Sequence, residues 1–288
     1  MDFSVILPVV HGGRFLEETL TSLRALDFPQ DRFEVLVGKS DRGRAAALND
    51  ACRRVRGRIL VFTDDDCVPP KDWLKVLQAA LQREPDAGAM GGRDVLAPSE
   101  SAFDHSLDFV LNSFLGTGNL RRGDRAGAGR YYPKLWGMAV PREVAVAAAR
   151  DGDQIFDESL PVSEDADLAA RIEHAGWRIV YAPEWVVTHH RDTTWGSYAR
   201  RSFLSGRVGR ERGLNTLPHL LLAGMLVLLL WWPTWIAYLA LLLVEGARAA
   251  VRMRRAPSLV LVPALLATCQ ITRALGWISG RTRRRTVP

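Results

Sequence analysis

The sequence predicts an α/β domain with a mostly parallel sheet, followed by a carboxyl-terminal helical segment. Between Phe3 and Phe62, short apolar runs alternate with helical patterns in a β-α-β-α-β series, and short links in such a series predict parallel strands with right-handed crossovers. Between Leu217 and Val244, no charged residue interrupts 28 positions, a length and purity that soluble core helices rarely need. We therefore predict an α/β domain over residues 1–213 and transmembrane or interfacial helices over residues 214–288.

The first two predicted strands end in glycine-containing loops. Phe3 to Pro8 is typical of a buried strand stopped by proline, and His11-Gly12-Gly13 after it can approach a ligand closely. A second run, Phe33 to Val37, exits through the loop Gly38 to Gly43. Open α/β sheets bind ligands beside the carboxyl ends of their strands. We therefore expect Gly12, Gly38 and Asp64 to meet at one edge.

Three consecutive carboxylates follow the third predicted strand. Asp64, Asp65 and Asp66 come directly after Ile59 to Phe62, which is apolar on both alternating faces, as strands buried on both sides are. The strand must end here, because unpaired charges are not buried inside such a sheet. Side chains two apart share a face, so Asp64 and Asp66 can converge on one hard cation, Mg²⁺ or Mn²⁺. A solvated acidic turn before Pro69-Pro70 explains the pattern equally well.

The second half of the domain is less regular in pattern. Ala87 to Gly92 and Leu135 to Val140 are predicted strands, and Trp177 to Tyr181 is a further one that ends at Pro183. Residues 97–130, rich in Gly, Ser and Arg, predict either a mobile lid or an ordinary surface insertion.

A second acidic group begins the last helix of the domain. Ser163 to Asp167 precedes a helical pattern that stops at Gly176. Ser163 suits an N-cap, and acidic residues favour the dipole in a first helical turn, so capping is the better interpretation of this segment taken alone. Further on, His189 and His190 form a pair. Such pairs are more often hydrogen-bonded than metal-bound, but neutral imidazole can supply a nitrogen ligand to Mn²⁺.

The net charge of +6 comes almost wholly from arginine, much of it near the apolar carboxyl-terminal region. Basic groups that flank apolar spans, without interleaved stacking aromatics, favour membrane lipids over nucleic acid as partners. Three widely separated cysteines, Cys52, Cys67 and Cys269, are typical of reduced thiols on the cytoplasmic side. The flanking arginines are Arg200, Arg201, Arg207, Arg210, Arg212, Arg248, Arg252, Arg254, Arg255, Arg281, Arg283, Arg284 and Arg285.

The apolar region is interrupted at Trp231-Trp232-Pro233-Thr234-Trp235. Tryptophan prefers the membrane interface and proline favours a turn, so we predict a helical hairpin with arms over 214–232 and 234–250. One long helix kinked at Pro233 is the alternative. Arginines on both sides favour the hairpin, because both ends then stay cytoplasmic. Residues 258–279 are interfacial, re-entrant or a further span. Because the amino terminus opens directly into a strand, we expect no signal peptide.

In its ordered landmarks, the chain resembles the family 2 glycosyltransferases, inverting enzymes with a GT-A fold that use nucleotide-sugar donors. The resemblance runs from Phe3 to about Gly209. Each motif is weak alone, but their common order and spacing make the resemblance specific. The motifs are Ser4-Val5-Ile6-Leu7-Pro8, Ala45-Ala46-Ala47-Leu48-Asn49, Val61-Phe62-Thr63-Asp64-Asp65-Asp66, Phe156-Asp157-Glu158-Ser159-Leu160, Glu164-Asp165-Ala166-Asp167-Leu168, Tyr181-Ala182-Pro183 and Arg200-Arg201-Ser202-Phe203.

The resemblance implies a role for each acidic group. It places the catalytic base on Asp165, with Glu164 beside it, and a Mg²⁺ or Mn²⁺ ion on Asp64 and Asp66. A histidine after the last strand is implied as a metal or phosphate contact, with His190 preferred over His189. The donor, a UDP- or GDP-sugar, is expected to contact Pro8, Val10, Gly38, Asp41, Asn49, Asp64 and Asp65.

Two departures from the family pattern bear on substrate. Relatives carry an acidic run after the second strand that binds the nucleobase and ribose, whereas here Gly38 to Gly43 is short and Asp41 is shifted. The Gln-x-x-Arg-Trp motif of processive members is absent, which predicts transfer of one sugar per encounter. The basic, membrane-anchored layout favours a lipid-linked acceptor, such as a polyprenyl phosphate, over a soluble glycan. A nucleotidyltransferase and a membrane scaffold without donor binding are the alternatives.

Overall fold

The computed structural model describes residues 1–10, 12–121, 123, 129–150, 154–228 and 231–281. His11, residues 122 and 124–128 of the possible lid and the basic residues 283–285 lie outside the described residues. The chain divides into two compact units. The sheet unit comprises Met1–Ala97 and Tyr131–His190 with residues 122–124, and the helical unit comprises Pro98–Arg121 and Arg191–Pro288 with residues 125–130. The domain boundary at 213/214 stays a prediction.

Within the described residues, the sheet unit contains one mixed sheet of seven strands in the order β2-β1-β3-β6-β5-β7-β4. The first three strands are parallel to one another, as predicted. The other long parallel ladder joins β5 to β7, while β6 runs antiparallel between β3 and β5, and β4 antiparallel to β7. The strands are β1 (Phe3–Val9), β2 (Phe33–Lys39), β3 (Ile59–Phe62), β4 (Cys67–Val68), β5 (Ala87–Leu96), β6 (Met138–Pro141) and β7 (Arg178–His189).

The helices of the described residues divide between the two units. Those numbered 1, 2, 3, 6 and 7 belong to the sheet unit, and the others form the helical unit. They are α1 (Leu16–Arg24), α2 (Arg44–Cys52), α3 (Trp73–Arg83), α4 (Ala102–Leu111), α5 (Phe114–Thr117), α6 (Arg142–Ala147), α7 (Glu164–His174), α8 (Trp195–Arg212), α9 (Thr216–Leu228), α10 (Trp232–Met253) and α11 (Ser258–Ser279).

The core of the sheet unit lies between the sheet and helices α1 and α3. Successive side chains of a strand point to opposite faces, and Val5 and Leu7 of β1 pack with Leu23 of α1 on one face. Trp73 of α3 stacks on Trp185 of β7, with ring centroids 5.0 Å apart. Burial of both indoles fixes the second half of β7, on which His189 lies.

Helix α2 lies unusually close to strand β2 at Gly38. A Cβ atom at this position would be 1.9 Å from the backbone oxygen of Ala47, so only glycine fits there. The neighbouring Ala45 and Ala46 are also buried, and small side chains allow this close approach. The first residue of the helix, Arg44, is thereby held at the edge where β1, β2 and β3 end.

Two strands extend further than their sequence patterns predict. Strand β5 runs to Leu96, beyond the predicted end at Gly92, and β7 continues through Pro183 to His189. The register shifts between Gly91 and Arg93, at the part of the ladder opposite Pro183. Proline has no N–H to donate, and such an irregularity accommodates it within a strand. As a result, the carboxylate of Asp94 and the imidazole of His189 lie on paired strands.

The helical unit packs α11 against α8 through glycines. A Cβ at Gly206 would lie 2.0 Å from the backbone oxygen of Arg273, and one at Gly276 would lie 1.9 Å from that of Phe203. Pro233–Met253 and Ser258–Ser279 are each long and apolar enough to cross a membrane, by length and composition, whereas α9 is shorter. The predicted arms 214–232 and 234–250 therefore correspond to the separate helices α9 and α10, and residues 258–279 form one continuous helix.

Candidate functional site

The first acidic group lies in the turn between β3 and the two-residue strand β4. Strand β4 pairs with the end of β7, which places His189 opposite Cys67. One ligand atom from each of Asp64, Asp66, Cys67 and His189 lies within 4.8 Å of the others. Carboxylate oxygens and an imidazole nitrogen form a donor set that fits a divalent cation. Asp64, Asp66 and His189 are thus brought together as expected, and their role as metal ligands stays a prediction.

The imidazole of His189 lies between two carboxylates. Its Nδ1 atom is 3.1 Å from Oδ2 of the buried Asp94, and its Nε2 atom is 3.2 Å from Oδ1 of Asp66. If Nδ1 donates to Asp94, a neutral ring presents the Nε2 lone pair to a carboxylate oxygen. Either a second proton or a cation must then lie between these two atoms. Metal-binding histidines commonly have this carboxylate partner on the other nitrogen.

His190 points away from the acidic turn. Its backbone N–H donates to the Asp66 carbonyl oxygen at 2.9 Å, but its ring stacks on Phe15 with centroids 3.7 Å apart. The Nε2 atom lies 3.1 Å from Oε2 of Glu18. The structure therefore brings His189, and not the preferred His190, to the turn. The reason is that β7 continues as far as His189, and neighbouring residues of a strand face opposite sides.

Arg44 connects the two acidic groups. Its guanidinium donates a hydrogen bond to Oδ1 of Asp64, and its Nε atom lies 3.3 Å from Oε1 of Glu164. The Arg44 side chain is 40% exposed, whereas those of Asp64 and Glu164 are 14% and 7% exposed. Asp64 and Glu164, which are far apart in the sequence, thus contact the same guanidinium.

Burial controls the protonation of these carboxylates. It raises the pKa of Asp64 above its ordinary value of 3.8, with Arg44 opposing this shift and Asp66 adding to it. Burial likewise raises the pKa of Glu164 above 4.5, against the opposing charge of Arg44. The pKa of Asp65 is also raised by burial, although this side chain accepts a hydrogen bond from the Gly13 N–H at 3.3 Å. A cation at this turn would offset the cost of burying these ionised carboxylates, because it favours their ionised forms.

Asp165 stands in the first turn of α7, beside Glu164. Its Oδ1 atom accepts a hydrogen bond from the Ala166 N–H at 2.7 Å, and its Oδ2 atom lies 3.6 Å from the Lys134 ammonium. Ser163 occupies the N-cap position with φ of 66°, in the left-handed region, and its side chain makes no capping hydrogen bond. The capping interpretation of this serine therefore fails, and the backbone before Glu164 is in a conformation that favours glycine.

The residues expected to contact the donor lie in different environments. Asn49 is fully buried and exchanges hydrogen bonds with the Phe156 backbone, donating to the oxygen at 2.8 Å and accepting from the nitrogen at 2.9 Å. Gly38 packs directly against the backbone of α2. Pro8 is buried at the end of β1, whereas Val10 is half-buried and Asp41 is exposed in the shortened loop. Contact of these residues with the donor stays a prediction.

Three residues of this site were not singled out as candidates from the sequence. Arg44 carried a usable signal, because a cation in the first turn of a helix opposes the dipole and so points to a tertiary partner. Asp94 is a carboxylate within a strand, and its burial needs a partner such as His189. Cys67 directly follows the aspartates, but the wide spacing of the three cysteines indicated only reduced thiols.

A model of the protein family described as glycosyltransferase like family 2 matches residues 1–204, more than half of the chain. The chain belongs to this family. The predicted resemblance to family 2 glycosyltransferases is thereby confirmed. The matched segment contains all the residues of both acidic groups.

Two comparisons extend this result. The pre-mycofactocin glycosyltransferase of Mycobacterium tuberculosis, in two strains, is 28% identical to the chain over 234 residues. These residues cover 71% of this family 2 chain and 46% of each relative, so the chain spans about half the length of the curated relatives it matches.

The mannosyltransferase PcManGT from Pyrobaculum calidifontis, solved in complex with GDP-mannose and Mn²⁺, superimposes with a TM-score of 0.59 and 21% identity. The match covers 94% of this chain and 86% of that one. It confirms the predicted GT-A fold.

Proposed function

We propose that this chain transfers one sugar from a nucleotide-sugar donor to a hydroxyl or phosphate acceptor, with inversion at the anomeric carbon. The observation that carries the proposal is the position of Arg44 between Asp64 and Glu164. One guanidinium spans only a few ångströms, so the acidic groups after β3 and at the start of α7 lie beside the same side chain. A reaction with a metal-bound diphosphate on one side and a base on the other requires this arrangement.

On the donor side, Asp64, Asp66 and His189 would hold Mg²⁺ or Mn²⁺, which when bound neutralises charge on the diphosphate leaving group. Asp94 fixes the orientation of the His189 ring through Nδ1. Asp65 and Gly13, joined by a hydrogen bond, would line the approach of the nucleotide. This cation requirement is supported by the donor set at the turn, and the PcManGT structure contains Mn²⁺ with GDP-mannose.

On the acceptor side, Asp165 would act as the catalytic base and Glu164 as its neighbour held by Arg44. A hydroxyl is a weak nucleophile until a carboxylate within hydrogen-bond reach accepts its proton as the new bond forms. The Oδ2 atom of Asp165 lies 3.6 Å from the Lys134 ammonium, a contact that would hold the carboxylate in position. Attack from the face opposite the nucleotide inverts the anomeric centre in a single displacement.

We infer a UDP- or GDP-sugar as the donor from the family to which the chain belongs and from the GDP-mannose in the PcManGT structure. The usual acidic run after β2 is missing, and Asp41, exposed in the short loop, would stand in for its carboxylate. The absence of a Gln-x-x-Arg-Trp motif supports transfer of a single sugar. The Mycobacterium tuberculosis relatives are named pre-mycofactocin glycosyltransferases, and a lipid-linked or glycan acceptor is proposed for this chain.

We place the catalytic domain in residues 1–213, on the cytoplasmic side, with residues 214–288 attached to the membrane. Two apolar helices of sufficient length and the arginines that flank them support this layout. Lysine and arginine near span ends favour the cytoplasmic face, and they attract anionic lipids. An enzyme attached in this way meets acceptors that are themselves confined to the membrane, such as a polyprenyl phosphate.

The proposal is tested on the full chain purified in nanodiscs with Mn²⁺. A panel of UDP- and GDP-sugars is screened by thermal shift, because a true donor stabilises the folded form by mass action, and release of nucleoside diphosphate is then followed with a polyprenyl phosphate acceptor. We expect one donor to raise the melting temperature and to be consumed. Stabilisation without turnover would contradict sugar transfer, release of sugar 1-phosphate in place of nucleoside diphosphate would favour a nucleotidyltransferase, and no response to any donor would favour a scaffold without donor binding.

A further inference from the structure

The acidic turn contains a thiol among its oxygen and nitrogen donors. Cys67 is fully buried, and its Sγ atom lies 3.9 Å from Oδ1 of Asp66. Trp136 and Val187 pack with it in one small apolar cluster, which limits movement of the side chain. Strand β4 also pairs Cys67 with His189 across the ladder. The sulfur is thus fixed at the edge of the turn by packing on one side and by strand pairing on the other.

The distances among these donors match a small four-coordinate site. With Zn–N and Zn–O bonds of about 2.0–2.1 Å and a Zn–S bond of about 2.3 Å, tetrahedral ligands lie about 3.3–3.7 Å apart. The His189 Nε2 to Asp66 Oδ1 distance is 3.2 Å, and the Cys67 Sγ to Asp66 Oδ1 distance is 3.9 Å. All four donors lie within 4.8 Å of one another, close enough to converge on one ion.

His189 supplies an independent sign of a ligand at this place. Its Nδ1 atom faces the buried carboxylate of Asp94, which is the outer partner that metal-binding histidines commonly have. The Nε2 atom is thereby directed at Asp66. A donor set of thiolate, imidazole and two carboxylates differs in softness from the all-oxygen shells that suit Mg²⁺ and Mn²⁺.

We propose that Cys67 makes this turn a Zn²⁺ site, in which Asp64, Asp66, Cys67 and His189 bind the ion with four protein ligands. Thiolate coordination favours Zn²⁺ over Mn²⁺ at equal concentration. Four protein ligands also close the coordination shell, whereas catalytic sites keep a position open for substrate. Zn²⁺ therefore excludes the donor diphosphate and inhibits the reaction, and this inhibitory consequence rests on the proposed function.

The binding step is tested by optical titration of the full chain with Co²⁺, which replaces Zn²⁺ and gives a near-ultraviolet charge-transfer band only when a thiolate binds it. We expect this band to saturate at about one Co²⁺ per chain and to disappear on addition of one equivalent of Zn²⁺. The measurement needs neither donor nor acceptor. Sugar transfer is assayed separately, with Mn²⁺ and without Zn²⁺ or Co²⁺. Absence of transfer in that assay together with a Co²⁺ band would count against the proposed function alone, and transfer there without a Co²⁺ band in the titration would count against the Zn²⁺ site alone.

The matched variants are Cys67→Ser and Cys52→Ser, which remove one buried thiol each. We expect Cys67→Ser to lose the band and to bind Zn²⁺ about 100-fold more weakly, with Mn²⁺ affinity within about threefold of the wild type. Cys52→Ser keeps the band. Circular dichroism verifies folding, and Cys67→Ala replaces the serine variant if that one is unfolded. Absence of the band in the wild type, or its persistence in a folded Cys67 variant, would overturn the proposal.

Discussion

Asp64 and Glu164, which belong to separate acidic groups of the sequence, are both paired with the guanidinium of Arg44. This relationship holds the start of α2 against the turn after β3 and against the first turn of α7. It also leaves a buried carboxylate, Glu164, and a partly buried one, Asp64, dependent on a single cation, because burial raises both pKa values and Arg44 opposes this shift. The stability of this family 2 chain is therefore expected to depend on pH at this point.

Replacing Arg44 by alanine tests that dependence. A carboxyl whose folded pKa is raised contributes stability that is complete below its ordinary pKa and is lost as pH rises through the folded pKa. Those ordinary values are 3.8 for Asp64 and 4.5 for Glu164. Removing Arg44 raises both folded pKa values further, so the loss extends to higher pH. We expect Arg44→Ala to cost little near pH 4 and about 2 kcal/mol at pH 8, below the figure for fully buried pairs.

The measurement is urea unfolding of the metal-free protein across this pH range. Arg42→Ala is the matched control, because Arg42 is 67% exposed and forms its ion pair with Glu158 instead. Its effect should stay small at every pH. A cost for Arg44→Ala that does not change with pH would show that the two carboxylates are not governed by this guanidinium.

The two adjacent histidines are expected to differ sharply in their effect on metal affinity. His189→Ala removes the ring nitrogen that lies 3.2 Å from the Asp66 carboxylate, whereas His190→Ala removes a ring that stacks on Phe15. Loss of a ligand should weaken Mn²⁺ binding by about 100-fold or more, and loss of the neighbouring ring by less than about threefold. Electron paramagnetic resonance of free Mn²⁺ measures both constants. Equal losses, or a larger loss for His190→Ala, would contradict the structure of the turn.

The main effect of replacing Asn49 is expected to be on the stability of the fold. Its amide pairs with the Phe156 backbone in the interior, so Asn49→Ala leaves a buried N–H and a buried carbonyl without partners. We expect a loss of about 3 kcal/mol in the free energy of unfolding. Asp50→Ala, which breaks exposed ion pairs with Arg53 and Arg54, should change it by less than about 1 kcal/mol. A stable Asn49→Ala variant with weakened donor binding would restore the donor role expected from the sequence.

The close approach of α2 to β2 gives a further stability prediction. Gly38→Ala places a Cβ 1.9 Å from a backbone oxygen, whereas Gly137→Ala places one 3.7 Å from the nearest atom, at Gly92. Both glycines are buried in the sheet unit. We expect a destabilisation of about 3 kcal/mol for the first and less than about 1 kcal/mol for the second, measured by urea unfolding. Similar values for both would indicate that α2 is free to shift.

The parts of the fold that follow local patterns were predictable from the sequence. Strands β1 to β3 and the position of Asp64 to Asp66 after β3 depend on apolar runs and on the cost of burying charge, and these are properties of adjacent residues. The end of β7 was not predictable in this way, because a register irregularity lets the strand continue through Pro183. Its extension decides that His189, and not His190, meets Asp66.

The hydrogen-bond and ion-pair partners within the site were also harder to predict, because they too depend on contacts between residues distant in sequence. Two pairs in the site form only when strands and helices distant in sequence pack together: Arg44 with Glu164, and Asp94 with His189. Asn49 is a motif residue whose side-chain amide is paired with the Phe156 backbone, a pairing that the motif alone did not predict, and its contact with the donor stays a prediction. Motif spacing indicates which residues belong to a site, while hydrogen-bond partners depend on tertiary packing.

The central claim is that the two acidic groups border one cleft and perform different tasks in it. The most direct test is to measure Mn²⁺ affinity and single-turnover sugar transfer for Asp66→Asn and Asp165→Asn in the full chain. We expect Asp66→Asn to lose both, and Asp165→Asn to bind Mn²⁺ as the wild type does while transfer falls by about 100-fold or more. Transfer that survives in Asp165→Asn would remove this residue from the role of base and contradict the account.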